Sequence, residues 1–219
     1  MKITDLYLVE TAGTHPEIFV DMDGVLADLF NHVGSLHDVE HYNQMTNDQW
    51  EEFLKNTNAY ELFRDLPAFP TANQLLEFTQ RYGGYNILSS PLNYDKKMSI
   101  KGKTEWLQKN ITVPAKKTIF EHEKYLYAKQ SDGTPNILID DYGVNIKKWR
   151  AAGGIAIKYQ ADQDSLQHVE NGLREAFTYI ETEKNKISKD TQQQKDHESN
   201  RIHSREKTQG TDSEPMLSR

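Results

Sequence analysis

Two aspartates stand one residue apart in this sequence, at the end of an apolar run that begins at Ile18. They are Asp21 and Asp23, and Gly24 follows them directly. Side chains alternate between the two faces of a β-strand, so both carboxylates would point the same way. Because like charges at this spacing repel each other, a bound cation would stabilise the pair. Mg²⁺ prefers carboxylates, waters and phosphate oxygens as ligands. The spacing therefore suggests a magnesium site, although a bare Asp-x-Asp more often marks an acidic turn.

Two further apolar runs also end in polar side chains. Ser89 and Ser90 follow one run, and Asp140 and Asp141 follow the other. In open parallel sheets, ligands bind beyond the carboxyl ends of the strands. If these runs are parallel strands, their polar ends meet the first aspartate pair at one edge of the sheet.

Such a cluster favours phosphoryl transfer. Asp21 is the candidate nucleophile that attacks phosphorus, and Asp23 is the candidate group that moves protons. Ser89 and Ser90 are candidates for hydrogen bonds to the phosphoryl oxygens. A lysine would neutralise the charge that develops on the transferred group.

The elements that must position these residues alternate between strand and helix. This order predicts an α/β fold with a largely parallel sheet and right-handed crossovers. A short apolar alternation at 6–9 is a further edge-strand candidate. The strands are predicted at 17–22, 85–90, 118–120, 136–141 and 155–159, and helices at 71–82, 96–110 and 145–152 and from 165 onward.

The chain divides by composition into three parts. Residues 1–28 and 67–182 carry the strand and helix pattern and form the predicted core. Residues 29–66 are more polar with interspersed aromatics, which predicts a small helical cap over the mouth of the sheet. Residues 183–219 contain almost nothing to bury, so we predict a polar, disordered tail.

Bulk composition excludes several classes of function. The chain has 219 residues and no cysteine, so disulfides and thiol catalysis are impossible. The net charge of −7 counts against a stable nucleic-acid partner. We find neither an apolar run of membrane-spanning length nor a signal-peptide pattern, and we expect no membrane partner and a cytoplasmic location. The sequence does not indicate the oligomeric state.

Three segments together resemble the haloacid dehalogenase superfamily of phosphatases, and more narrowly its bacterial and phage 5'(3')-deoxyribonucleotidase branch. They are Asp-Met-Asp-Gly-Val-Leu-Ala-Asp at 21–28, Ile-Leu-Ser-Ser-Pro at 87–91 and Ile-Leu-Ile-Asp-Asp at 137–141. The resemblance implies a Rossmann-like three-layer parallel sheet with a small helical cap inserted after the first motif strand. It also implies a Mg²⁺-dependent phosphomonoesterase that hydrolyses (deoxy)nucleoside monophosphates through an aspartyl-phosphate.

By this resemblance Asp21 is the nucleophile and a metal ligand. Asp23 is the acid/base and also binds Mg²⁺ through its backbone carbonyl. Ser89 and Ser90 contact the substrate phosphate. Asp141 is the favoured direct metal ligand of the last motif, with Asp140 as its partner or alternate.

Two assignments stay open at this point. Lys124 is the best candidate for the catalytic, phosphate-binding lysine, with Lys129 and Lys117 as alternatives. Relatives often carry a base-contacting Phe where this chain has Leu29, with Phe30 next to it. Two other functions also compete with the nucleotidase: a 3'-phosphatase that processes nucleic-acid ends, and a non-enzymatic binding module on the same fold.

Overall fold

The structure is a computed structural model that describes residues 15–37, 39 and 44–209. The edge-strand candidate at 6–9 lies outside these residues. The chain divides into two compact units, one ending at Ala176 and the other beginning at Phe177.

The first unit is built on a five-stranded sheet in which every pair of neighbouring strands is parallel. The strand order is β3-β2-β1-β4-β5, and the predicted parallel α/β fold is confirmed. The strands are β1 (Ile18–Val20), β2 (Tyr85–Ser89), β3 (Thr118–Phe120), β4 (Ile137–Asp140) and β5 (Ile155–Lys158).

Helices connect these strands, as parallel pairing requires. They are α1 (Leu29–Leu36), α2 (Asn47–Asn56), α3 (Ala59–Asp65), α4 (Ala72–Gln80), α5 (Lys96–Asn110) and α6 (Gly143–Ala151), with a short 3₁₀ helix at Lys124–Tyr127 between β3 and β4. The last helix, α7 (Leu166–Gln209), follows β5.

The register of the central strand decides where the site lies. Val20, the last residue of β1, is paired with Ile87 of β2 on one side and with Ile139 of β4 on the other. Asp21 is therefore level with Asp140, the last residue of β4, and with Leu88, one residue before the end of β2. β1 is short but fully buried, and Phe19 packs against Trp149 with the ring centroids 5.6 Å apart.

Three short helices lie between β1 and α4, in the region predicted as a cap. The side chain of Asp28 accepts a hydrogen bond from the Asn31 amide and so begins α1. Thr46 and Gln49 form a reciprocal capping box at the start of α2. α3 packs closely against α5 of the core.

The polar segment beyond residue 182 differs from the predicted disordered tail. α7 continues as a helix to Gln209, and residues 210–219 lie outside the described part. Lys, Glu and Gln are good helix formers, and pairs such as Lys186 with Glu183 add a little stability at the surface. The low hydrophobicity of this segment is compatible with an exposed helix as well as with a disordered chain, so it could not distinguish the two. In the residues that the structure describes, we find no helix whose length and apolar character would let it cross a membrane.

Candidate active site

Three carboxylates converge at the carboxyl ends of β1 and β4. Asp21 follows β1, and its amide donates a hydrogen bond to the Ile139 carbonyl at 2.9 Å. Asp140 is the last residue of β4, and Asp141 follows it. One oxygen from each of the three carboxylates lies within 4.8 Å of the others. Hard oxygen donors at this spacing fit Mg²⁺, so the residues present suit the cation that the sequence predicted.

Two carboxyl groups of this cluster have a raised pKa, chiefly because they are buried and also because the carboxylates repel each other. Burial raises the pKa of Asp141 to about 8, and the charges of Asp21 and Asp140 add to the effect. Burial likewise raises the pKa of Asp140 to about 6, with the charge of Asp21 as the next cause. A divalent cation among these oxygens would remove the repulsion and let the carboxylates ionise.

Lys124 is the buried cation that reaches the cluster. Its Nζ lies 2.7 Å from Oδ1 of Asp21 and 2.8 Å from Oδ2 of Asp140. Burial opposes the charge of this lysine, but the two carboxylates outweigh burial and raise its pKa above the ordinary value. The two alternatives lie elsewhere: Lys117 pairs with Glu17 at 3.7 Å, and the Lys129 side chain lies against Gly153.

The last two aspartates have different surroundings. The Asp140 carboxylate accepts hydrogen bonds from the Tyr142 amide at 2.8 Å and from Asn145 Nδ2 at 3.0 Å, besides its pair with Lys124. Within the described residues, the Asp141 carboxylate has no hydrogen bond or ion pair. Both oxygens of the Asp140 carboxylate therefore have protein partners, whereas the oxygens of Asp141 are available to bind a metal.

Lys103, on α5, is a second buried cation at the site, and our sequence analysis did not single it out. Its Nζ lies 2.5 Å from Oδ2 of Asp23 and donates to Ser89 Oγ at 2.8 Å and to the Ser90 carbonyl at 3.0 Å. The sequence did hold a signal: Lys103 lies three residues from both Ile100 and Trp106, so helical periodicity places it on the same face as these two apolar residues. A lysine on the apolar face of a helix indicates a buried partner.

Asp23 is not one of the three clustered carboxylates, and its carboxylate pairs with Lys103. Its other oxygen, Oδ1, is buried and has no hydrogen-bond partner among the described residues. Burial raises the pKa of Asp23, Lys103 opposes that rise, and the charge of Asp21 adds to it. A carboxyl group that gains a proton easily and has one free oxygen is suited to proton transfer.

Gly24 leaves room for two side chains at the edge of the cluster. Its φ is +75°, and a Cβ built on it would lie 2.7 Å from Cε2 of Phe30 and 2.8 Å from Oδ2 of Asp141. The Phe30 ring thus lies beside the site, whereas Leu29 is buried.

A parallel sheet of this order, with carboxylates at β1 and β4 and buried lysines beside them, defines a phosphohydrolase of the haloacid dehalogenase type. The sequence profile of the "5' nucleotidase, deoxy (Pyrimidine), cytosolic type C protein" family matches residues 15–182. The chain belongs to this family. It is a Mg²⁺-dependent, nucleotidase-like phosphoric monoester hydrolase, and the family does not favour the end-processing 3'-phosphatase alternative.

The solved structures that this chain is similar to have low sequence identity to it. A hydrolase from Pseudomonas syringae is 13% identical, with a TM-score of 0.40, covering 72% of this chain and 90% of its own. A HAD family enzyme from Bacteroides thetaiotaomicron, a mutant in complex with magnesium and inorganic phosphate, is 14% identical, with a TM-score of 0.39 and coverage of 69% and 97%. A HAD-superfamily hydrolase from Geobacter sulfurreducens is 14% identical, with a TM-score of 0.41 and coverage of 70% and 93%. No curated protein matches the chain.

Proposed function

We propose that the protein hydrolyses (deoxy)nucleoside monophosphates in two steps, through an aspartyl-phosphate formed on Asp21. The single observation that carries the proposal is that the two oxygens of the Asp21 carboxylate have different contacts. Lys124 Nζ and the Met22 amide both contact Oδ1, each at 2.7 Å. Among the described residues nothing donates to Oδ2. One oxygen is thus held in place, and the other is available to attack phosphorus.

In the first step, Oδ2 of Asp21 forms a bond to phosphorus while the bond to the nucleoside oxygen breaks. Asp23 donates its proton to that leaving oxygen. The raised pKa of Asp23 fits this role, because the group holds a proton more readily than an exposed aspartate does.

In the second step, Asp23 takes a proton from water, and the resulting hydroxide attacks phosphorus. The bond between phosphorus and Asp21 breaks, so that inorganic phosphate leaves and the carboxylate is restored. Lys124, Ser89 and Ser90 hold the phosphoryl oxygens during both steps. The ammonium of Lys103 lies beside the two serines and keeps Asp23 directed at the reacting group.

Asp21 and Asp141 are the side chains that would hold Mg²⁺, with the backbone carbonyl of Asp23. The free oxygens of Asp141 support this assignment, and Asp140 orients Lys124 instead of binding the metal directly. When bound, Mg²⁺ supplies positive charge that shields the carboxylates from the negative charge of the incoming phosphate.

The nucleoside part of the substrate lies toward the cap in this proposal. We divide the chain into a core at 1–28 and 67–182, a cap at 29–66 and a polar segment at 183–219. Phe30, at the start of the cap, places the edge of its ring, at Cε2, beside Gly24. Aromatic rings stack on nucleic-acid bases of any kind, so this contact favours nucleotides over small phosphate esters.

The test is phosphate release from a panel of 5'- and 3'-monophosphates of deoxynucleosides and ribonucleosides, with Mg²⁺ present. We expect release from at least one deoxynucleotide and none after Asp21→Asn. Asp28→Asn is the matched control, because Asp28 lies in the same motif but begins α1. Release that survives Asp21→Asn, or its absence from the whole panel with the wild type, contradicts the proposal.

A further inference from the structure

The cap helix α3 is joined to the core helix α5 without a gap between them. A Cβ built on Gly102 would lie 2.5 Å from the Tyr60 carbonyl and 3.1 Å from Cβ of Phe63. Only a glycine leaves room for a helix backbone at this distance. α3 is therefore seated directly on α5.

Two hydrogen bonds reinforce this contact along the same face of α5. The Tyr60 hydroxyl donates to Glu105 Oε2 at 2.6 Å, and Trp106 Nε1 donates to the Leu66 carbonyl at 2.7 Å. Trp106 is completely buried. These contacts run from the start of α3 to just past its end. They fix α3 to α5 of the core, even though α3 lies within the cap sequence.

Lys103 follows Gly102, and the Phe63 ring of α3 covers its ammonium. Nζ of Lys103 lies 4.5 Å from the ring centroid, with the lysine 0% and the phenylalanine 1% exposed. The three ammonium protons have three acceptors: Asp23 Oδ2, Ser89 Oγ and the Ser90 carbonyl. A ring face attracts a cation electrostatically, and more strongly where water is excluded.

We propose that Phe63 is a positioning residue for the reaction: its ring holds the Lys103 ammonium against Asp23 and Ser89. This inference rests on the proposed function, because it assigns the cap a part in keeping the acid/base group in place. In this proposal α3 is held in place beside the active site and contributes Phe63 to it.

The alternative is that Phe63 fills the interior like any other buried apolar residue. The two roles differ in what replaces the ring. Leucine or methionine would keep the site apolar but offer the ammonium no ring face. A lysine side chain has four rotatable bonds, so the ammonium would gain freedom and exchange its protons with water more readily.

The experiment compares Phe63→Leu and Phe63→Met with Leu62→Met. Leu62 is the preceding residue of α3 and is also buried, and its replacement by methionine conserves volume. We expect both Phe63 variants to lower kcat about tenfold, as expected for an ion–ring contact in a dry site, with KM within about threefold of the wild type. Leu62→Met keeps the wild-type values.

A second measurement does not depend on turnover. In the full-length protein labelled with ¹⁵N-lysine, Lys103 and Lys124 are buried enough for their ammonium protons to exchange slowly, and Lys→Met variants assign the two signals. We expect Phe63→Leu and Phe63→Met to accelerate exchange at Lys103 while Lys124 stays protected. Leu62→Met should leave both signals unchanged.

Unchanged protection of Lys103 in both Phe63 variants overturns the inference, as does an equal loss in Leu62→Met. A wild type that releases no phosphate contradicts the proposed function only, since the exchange measurement still decides the role of Phe63.

Discussion

Gly24 and Asp141 are in contact across the site, although they lie in different sequence motifs. A Cβ on Gly24 would lie 2.8 Å from both Cγ and Oδ2 of Asp141, closer than carbon atoms approach in proteins. The backbone of Gly24 also has a φ of +75°, a value that residues other than glycine rarely adopt. The glycine that follows the two aspartates thus leaves room for the Asp141 carboxylate, which we propose as a metal ligand.

We predict that Gly24→Ala displaces Asp141 and weakens Mg²⁺ binding. Steric overlap and backbone strain together should lower the free energy of unfolding by about 1–3 kcal/mol. Calorimetric titration with Mg²⁺ and urea unfolding measure the two effects. Gly143→Ala is the control, because a Cβ there meets nothing within 4 Å. Wild-type affinity for Mg²⁺ in Gly24→Ala would show that Asp141 does not need this space.

Lys103→Met should lower kcat about 100-fold, the size of effect seen when one preorganised charge contact is removed from an active site. The substitution keeps the length of the side chain but leaves Asp23 without its counter-charge and Ser89 without its donor. Steady-state kinetics with a nucleoside monophosphate measures the loss. Lys97→Met, on an exposed position of the same helix, serves as the control. Equal kinetics for the two variants would remove Lys103 from the mechanism.

Gly102→Ala should separate α3 from α5. The added methyl group would overlap with the Tyr60 carbonyl, and relief of that overlap stretches the hydrogen bond from Trp106 to Leu66. Forcing one extra methyl group into a packed interface costs about 1–3 kcal/mol. Urea unfolding, followed by tryptophan fluorescence, measures this loss. If Gly102→Ala and Gly143→Ala are equally stable, the two helices are not as closely seated as described.

The sequence was sufficient to predict the sheet and its catalytic edge. β1, β2 and β4 are continuous apolar runs, and such runs with polar ends are typical of buried parallel strands. For that reason Asp21, Ser89 and Asp141 could be placed at one edge before their distances were known. Lys124 was the best of three candidate lysines because it follows a short strand, whereas Lys129 and Lys117 stayed open as alternatives.

Other parts of the site depend on contacts between distant elements, which local patterns do not reveal. Lys103 lies 80 residues from Asp23, on a helix rich in exposed lysines. Phe63 acts on Lys103 only because Gly102 brings α3 against α5. Composition predicted a disordered tail after residue 182, yet α7 continues to Gln209 because its polar residues are also good helix formers.

The raised pKa of Asp141 predicts a stability that falls with rising pH when Mg²⁺ is absent. The folded protein holds the Asp141 proton up to a pKa of about 8, whereas an unfolded chain releases it near the ordinary aspartate pKa of 3.8. The folded state therefore binds more protons between these two values, so the free energy of unfolding decreases as pH rises through that window and levels off above it. The Asp140 carboxyl, with a pKa of about 6, acts in the same direction over the lower part of the window.

Urea unfolding in EDTA at pH 5, 6, 7 and 8 measures this dependence. One such group contributes a slope of at most about 1.4 kcal/mol per pH unit. Asp141→Asn, which cannot ionise, should flatten the slope and be more stable than the wild type at pH 8 without metal. Mg²⁺ should stabilise the wild type most at pH 8, where the carboxylates are free to bind it, and should stabilise Asp141→Asn less. If the free energy of unfolding rises from pH 5 to 8 in EDTA, or if Asp141→Asn shows the same slope as the wild type, then Asp141 is not the carboxyl group with the raised pKa.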